Sequence, residues 1–174
     1  MTARADGIAI RDAREDDRAA IEAVTLAAYE QYAAALSPAL WDMYRRSIVA
    51  TLGDVKPAAQ IVAEHGGRIV GAVLLFPPGT VMASPGGKAV TLDSPEVRLL
   101  ATAPAARGKG IGRLLMEECI RRARASGAPV LTLHTADIMS VAMRLYERMG
   151  FERAVALDFS PAPGITAKGY RLAL

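Results

Sequence analysis

Between Pro104 and Arg113 the chain reads Pro-Ala-Ala-Arg-Gly-Lys-Gly-Ile-Gly-Arg. Glycines at 108, 110 and 112 let the backbone come close to a ligand and turn successive N–H groups toward it. A helix that begins here exposes unsatisfied first-turn N–H groups and partial positive charge, a place where acidic side chains normally go. This chain instead supplies Arg107, Lys109 and Arg113, which suits a helix entry that holds phosphate groups. A glycine-bearing turn with solvated cations is the plainer account of the same residues. The spacing is not GxxxxGK[ST]. It is not GxGxxG either, because the third glycine follows after one residue, which weakens nucleotide-fold readings.

The elements that must position this stretch follow from periodicity and punctuation. Ile8 to Arg11 reads as a strand, and the acidic run before Asp17 starts a helix to about Tyr32. Ser37-Pro38 opens a second helix to about Leu52, with Leu40, Trp41, Tyr44 and Ile48 as its apolar stripe. Strands at 60–64 and 68–76 flank a His65-Gly66-Gly67 hairpin turn. Residues 80–94, with Ser84-Pro85-Gly86-Gly87, read as a loop or a protruding hairpin. A strand at 96–102 leads into the glycine stretch, and a helix at 110–125 follows, closed by Gly127. A strand at 130–134 precedes a helix at 138–149 stopped by Gly150. Strands at 151–159 and 166–174 come last, split by residues 160–164. This order is mixed α/β, an α+β arrangement with a largely antiparallel twisted sheet, flanking helices and one central β-α-β crossover, expected as a single domain over 1–174.

Composition narrows the function classes. The 174 residues are 52% hydrophobic and 22% charged, ordinary values for a folded chain. No stretch reaches the roughly 20 apolar residues of a membrane span, and Met1 to Asp17 has no apolar signal core. The one cysteine, Cys119, rules out an intramolecular disulfide, and a cytoplasmic location fits best. A net charge of +3 is too weak to imply nucleic acid, and two histidines with one cysteine make a protein-built metal site an unfavoured reading. Cys119 falls on the Ile111, Leu115, Ile120 side of its helix and reads as core. Arg121, Arg122 and Arg124 read as solvated charge near a helix C-terminus.

Arg107-x-x-Gly110-x-Gly112, preceded by Glu96-Val97-Arg98-Leu99-Leu100-Ala101-Thr102-Ala103-Pro104, resembles the acetyl-CoA motif of GNAT N-acetyltransferases. Ala142-Met143-Arg144-Leu145-Tyr146-Glu147-Arg148-Met149-Gly150-Phe151 resembles the same family's "A-x-x-L-Y-x-x-x-G-F" segment. The resemblance implies acetyl-CoA as donor and a primary amine of a small molecule or protein as acceptor. It implies that Leu100, Ala101 and Thr102 offer backbone groups to the pantetheine arm. Arg107, Gly108, Lys109, Gly110, Ile111, Gly112 and Arg113 would then wrap the pyrophosphate. A strand edge can pair with an amide-bearing arm as it pairs with a peptide, while the same side chains pack in a core.

Acetyl transfer to an amine needs a neutral amine, a stabilised carbonyl oxygen and a proton for the departing thiolate. By the resemblance, Tyr146 sits where the family's thiolate-protonating tyrosine sits, and a phenol is protonated at pH 7. Beside Ala142, Met143 and Met149 the same ring also fits a core. Two residues are candidate bases. Glu96 stands eleven residues before Arg107, matching a catalytic glutamate of the histone-acetylating branch, and ranks first. His134 ends the next strand, where the branch acetylating protein N-termini carries a glutamate, and an imidazole can pass a proton at physiological pH. His65, in a turn, is given no role. Seven residues before Tyr146, where many relatives carry an asparagine against the cofactor, stands Met139; Asp137 and Ser140 are out of register. Tyr29, Tyr32, Trp41 and Tyr44 lie in the helices that cover the acceptor cleft in this family and could select an acceptor, but core packing is the favoured single explanation. Late strands often build dimers in such proteins, which makes a homodimer the expected assembly. A non-catalytic acyl-CoA-binding sensor of the same fold is the alternative function.

Overall fold

The computed structural model describes residues 2–5, 7–54, 56–82 and 89–174. Its elements are β1 (Thr2–Ala5), β2 (Ile8–Asp12), α1 (Arg18–Tyr29), α2 (Pro38–Asp54), β3 (Ala59–His65), β4 (Arg68–Phe76), β5 (Val81–Met82), β6 (Val90–Thr91) and β7 (Glu96–Thr102). They continue with α3 (Ile111–Ala125), β8 (Val130–Thr135), α4 (Ser140–Arg148), β9 (Glu152–Arg153), β10 (Phe159–Ala162) and β11 (Ile165–Ala173). The chain divides into two compact units. One runs to Leu75 and includes Leu99–Cys119; the other joins Phe76–Arg98 to Ile120–Leu174.

In the first unit β1 to β4 pair antiparallel in chain order. Gly66 and Gly67, with φ of 57° and 74°, make the tight turn between β3 and β4 that demands left-handed backbone at both centres. Asp17 opens α1: its carboxylate accepts the Arg14 N–H at 2.7 Å, satisfying an exposed donor ahead of the helix. α1 stacks Ile21 and Val24 on Val62 and Ala72 of the sheet. It ends at Tyr29, earlier than its sequence suggested, and residues Glu30–Ala35 tighten into a 3-10 segment. Ser37 caps α2 as expected, its hydroxyl accepting the Leu40 N–H at 3.3 Å.

In the second unit β7 begins parallel to β8, in the register Glu96↔Thr132 and Val97↔Leu133. β11 runs antiparallel to β8 from Lys168↔Thr135 to Ala173↔Val130, and β9 and β10 pair with β11. Mixed pairing with mostly antiparallel neighbours and a β7-α3-β8 crossover is the expected class. Two boundaries differ. Residues 151–159 are not one strand: two residues of β9 are followed by a 3-10 turn, Val155–Leu157. Ser160 to Ala162, expected in a connecting turn, belong instead to β10, and the reversal falls at Pro163-Gly164. Pro161 is tolerated because β10 lies at a sheet edge, beyond β11. β5 and β6 pair as a short hairpin, whose expected Ser84-Pro85-Gly86-Gly87 turn lies outside the described residues.

Candidate active site

In the first unit Pro104–Ala106 form a 3-10 turn and α3 starts at Ile111, with no acidic residue in its first turn. Gly108 and Gly110 sit at φ of 78° and 75°, left-handed backbone that favours glycine. A Cβ built on either meets nothing within 4 Å, so the loop is open on the face where a side chain would stand. The N–H groups that follow Gly110 have only this opening helix turn behind them, and Leu114 N makes the first α-helical bond, to Gly110 O at 3.0 Å. Ile111 is buried and enters a notch at Gly71 in β4, where an added Cβ would meet Ile111 Cγ2 at 2.7 Å and Ala101 O at 3.0 Å. Glycine at 71 thus lets the strand, β7 and the start of α3 approach closely.

The three cations of the loop are exposed but two have protein partners. Arg113 Nε donates to Glu117 at 2.7 Å. A terminal nitrogen of Arg107 donates to the Ala28 carbonyl at 3.1 Å, tying the loop to the end of α1. Burial pushes the nearby Tyr32 phenol above its ordinary value against the opposing charge of Arg107. Tyr29, Tyr32, Tyr44 and Trp41 form a chain of edge-to-face contacts with centroids 5.7 to 6.3 Å apart, the packing account of these aromatics. Ala101 is buried, and Leu100 and Thr102 are half-buried in the second part of β7. Leu99, where the chain enters this unit, has a φ of 51°, the one positive value among described non-glycine residues. For a leucine this is a strained backbone position, of order 1–3 kcal/mol, that the surrounding strand must hold.

In the second unit α4 presents Tyr146 inward, 7% exposed, its ring tilted 59° against Phe151 at 6.0 Å. Gly150, with φ of 89°, ends the helix, and the Phe151 N–H returns to the Tyr146 carbonyl at 3.0 Å. Asp137 pairs with Lys168, which engages one of the two groups near Met139. Cys119 is buried, as expected of a core residue. Arg121 and Arg124 are exposed, whereas Arg122 is half-buried.

Glu96 and His134, nominated separately, meet. Glu96 is only 2% exposed; Oε1 accepts Arg98 Nε at 2.7 Å and Oε2 lies 3.4 Å from His134 Nδ1. Burial pushes the Glu96 carboxyl up, but the close approach of the His134 ring and the Arg98 charge outweigh it and hold it below its ordinary value. The solvated strand-end charge considered for Glu96 is therefore not what the fold provides. His134 Nε2 is 2.8 Å from the Leu157 carbonyl, and because a carbonyl only accepts, Nε2 carries the proton of that bond. Nδ1 is buried without a hydrogen-bond partner and faces the carboxylate. With acceptors at both edges, only the doubly protonated ring donates to both. Phe159 meets the ring edge-on at 5.0 Å.

Leu157, Arg153, Asp158 and Gly169 around this ring were missed from the sequence. An isolated glycine inside a strand pattern is the signal that marks Gly169, since it announces a close backbone approach. A cleft of about 440 Å³ between α1 and α2, lined by Arg18, Glu22, Arg45 and Arg46 over Ile21 and Leu52, contains none of the nominated residues. Among the described residues no three His, Cys, Asp or Glu side chains group as metal ligands, and no helix is long and apolar enough to cross a membrane.

A family model described as the acetyltransferase (GNAT) family matches residues 14–151. Over 108 residues the chain is 33% identical to mycothiol acetyltransferase of Thermomonospora curvata, covering 62% of this chain and 32% of that protein. Over 70 residues it is 39% identical to streptothricin acetyltransferase of Streptomyces lavendulae, covering 40% of this chain and 36% of that protein. The matches thus span about a third of the length of these curated relatives. Among solved structures the chain is similar to a GNAT family acetyltransferase from Brucella melitensis in complex with acetyl-CoA. The TM-score is 0.64 at 24% identity, with 96% of this chain and 88% of that one covered.

Proposed function

The chain belongs to the acetyltransferase (GNAT) family, and from that premise we propose that it transfers an acetyl group from acetyl-CoA to a primary amine. The observation that carries this reading is the entry to α3, where Gly108 and Gly110 hold left-handed backbone with no atom within 4 Å of an added Cβ. An anion fits that opening. The N–H groups of 108–113 hold its oxygens and Lys109 adds charge. Backbone groups of Leu100, Ala101 and Thr102 take the amide-bearing arm. When bound, acetyl-CoA supplies a thioester carbonyl for the amine to attack and a thiolate that departs.

Tyr146 is the general acid of this reading, its hydroxyl giving a proton to the departing sulfur. The Glu96–His134 pair receives the proton that the amine releases, and holds it between Nδ1 and Oε2. In favour of the pair stand the 3.4 Å approach, the carboxylate kept ionised by Arg98, and the gain of a second hydrogen bond when the ring is protonated. Because Glu96 is almost completely buried, its role in this proposal is to face the imidazole rather than to touch the amine.

The test is a panel of amines with acetyl-CoA, following thiol release. At least one amine class is expected to drive release, and Tyr146→Phe is expected to keep acetyl-CoA affinity while turnover falls by roughly 10²–10⁴. Binding of acetyl-CoA with no thiol release for any amine would point to an acyl-CoA sensor. Near-parent turnover in the Phe variant would leave Tyr146 as packing.

A further inference from the structure

We propose that Gly169 and the Arg153–Asp158 ion pair are positioning residues that select the tautomer of His134 by seating the Leu157 carbonyl against its ring. The inference rests on the proton-acceptor reading of His134 for its functional weight, but its structural content stands on separate contacts.

Gly169 lies opposite His134 in the β8–β11 register. Both of its backbone groups are used by the segment 153–158. Its N–H donates to Asp158 Oδ1 at 2.9 Å, and its carbonyl accepts the Ala154 N–H at 2.9 Å and Arg153 at 2.8 Å. Arg153 and Asp158 close the ends of that segment with two parallel bonds of 2.8 and 2.7 Å, a fork geometry that fixes direction as well as distance. The Arg153 guanidinium also lies 5.6 Å from the centre of the Tyr170 ring, one residue further along β11. Hydrogen bonding with Arg153 and with the Gly169 N–H holds the Asp158 carboxyl down at about 2, so the fork stays charged over the working pH range.

Between those ends the Val155–Leu157 turn rests on the bare backbone of Gly169. A Cβ there would stand 2.4 Å from Leu157 Cβ and 2.9 Å from Ala154 O, so no other residue lets the turn lie this close. The product of this seating is the 2.8 Å contact of the Leu157 carbonyl with His134 Nε2. A neutral imidazole has one N–H to give. Given to Leu157, it leaves the Nδ1 lone pair facing Glu96; given to Glu96, it leaves Nε2 as the acceptor. Without the seated carbonyl, the carboxylate at 3.4 Å is the one acceptor of the two left in place, and the proton of the neutral ring moves to Nδ1.

The experiment reads the ring directly. Long-range proton–nitrogen NMR of 15N-labelled protein reports the tautomer of each histidine; there are two, and His65→Gln assigns them. In the parent, neutral His134 is expected as the Nε2–H tautomer. In Gly169→Ala it is expected to shift to Nδ1–H or to a mixture, with His65 unmoved. Asp158→Asn loosens the fork without adding bulk, is expected to shift the same signal, and carries the test should Gly169→Ala not fold. A parent-like His134 pattern in both folded variants overturns the proposal, as does an Nδ1–H pattern in the parent. Turnover separates the two readings. A tautomer that moves while turnover with a responsive amine holds would keep the positioning role and remove His134 as proton acceptor. Turnover that falls while the tautomer holds would remove the positioning role.

Discussion

Oε2 of Glu96 lies 3.4 Å from Nδ1 of His134, while the other oxygen of the same carboxylate accepts Arg98 Nε at 2.7 Å. The strand register produces this. Glu96 pairs with Thr132, so Glu96, Arg98, Thr132 and His134 all share one face of neighbouring parallel strands. A buried carboxylate thus has a permanent cation on one side and an imidazole on the other.

Replacing Glu96 by Gln keeps the volume and an acceptor for Arg98 but removes the charge that faces His134. Turnover is expected to fall by about 10² or more, and stability at pH 7 by roughly 1–3 kcal/mol. Because the folded-state carboxyl sits below its ordinary value, its stabilisation is complete above that ordinary value and fades as pH falls through the folded one. Urea denaturation of parent and variant should therefore differ at pH 7 and converge in acid. Equal stability and equal turnover at pH 7 would deny the carboxylate both roles.

Gly71→Ala tests the notch beneath α3. The new methyl would stand 2.7 Å from Ile111 Cγ2 and 3.1 Å from Leu115 Cδ1, both on a buried helix face. Overpacking of this kind costs about 1–3 kcal/mol. Since Ile111 is the first residue of α3, acetyl-CoA should also protect the variant less in thermal melts. A melting temperature and a ligand shift like the parent's would show that the helix start gives way freely.

Gly110 is the opposite case, with room for a side chain but a φ of 75°. Gly110→Ala should cost about 1 kcal/mol through the backbone alone. Gly110→Val adds branched carbons on the open face and should largely abolish acetyl-CoA binding in a thermal-shift titration. Parent-like affinity in the valine variant would remove the loop from the cofactor site.

Asp17 accepts two bonds from Arg11, at 2.6 and 3.1 Å, and one from the Arg14 N–H. The Arg11 bonds, aided by the Arg14 N–H, lower its carboxyl to about 2. The folded value lies below the unfolded one, so this stabilisation is present above about pH 4 and lost between about 4 and 2. Asp17→Asn should be less stable by about 1–2 kcal/mol at pH 7 and indistinguishable from the parent at pH 2. A stability gap that persists unchanged at pH 2 would assign the loss to something other than the charge.

What the sequence showed of the site was its local part. Arg107 to Gly112 is a contiguous stretch whose glycines, cations and helix start lie within a few residues, so its form follows from chain-local physics. Glu96 and His134 stood out one by one, but their meeting depends on the β7–β8 register, which periodicity does not set. The Val155–Leu157 turn was hidden because Val-Ala-Leu has strand composition; it bends because Gly169 leaves space beneath it. The extra 3-10 segment after α1 is likewise written in tertiary packing, with Tyr29, Tyr32 and Tyr44 interlocked across 5.7 and 5.8 Å.

The two compact units are interleaved along the chain, the first ending at Cys119 and the second reaching back to Phe76. A ribosome delivers residues in order, at roughly 5–20 per second. The unit carrying Arg107 to Arg113 therefore has all its residues once Cys119 has emerged, before Tyr146 exists. The segment Phe76–Arg98, Glu96 included, must wait for partners made later. A chain arrested between Cys119 and His134 would therefore hold every residue of the first unit, while the second would still lack His134, the whole of α4 and the last strands that pair with β8.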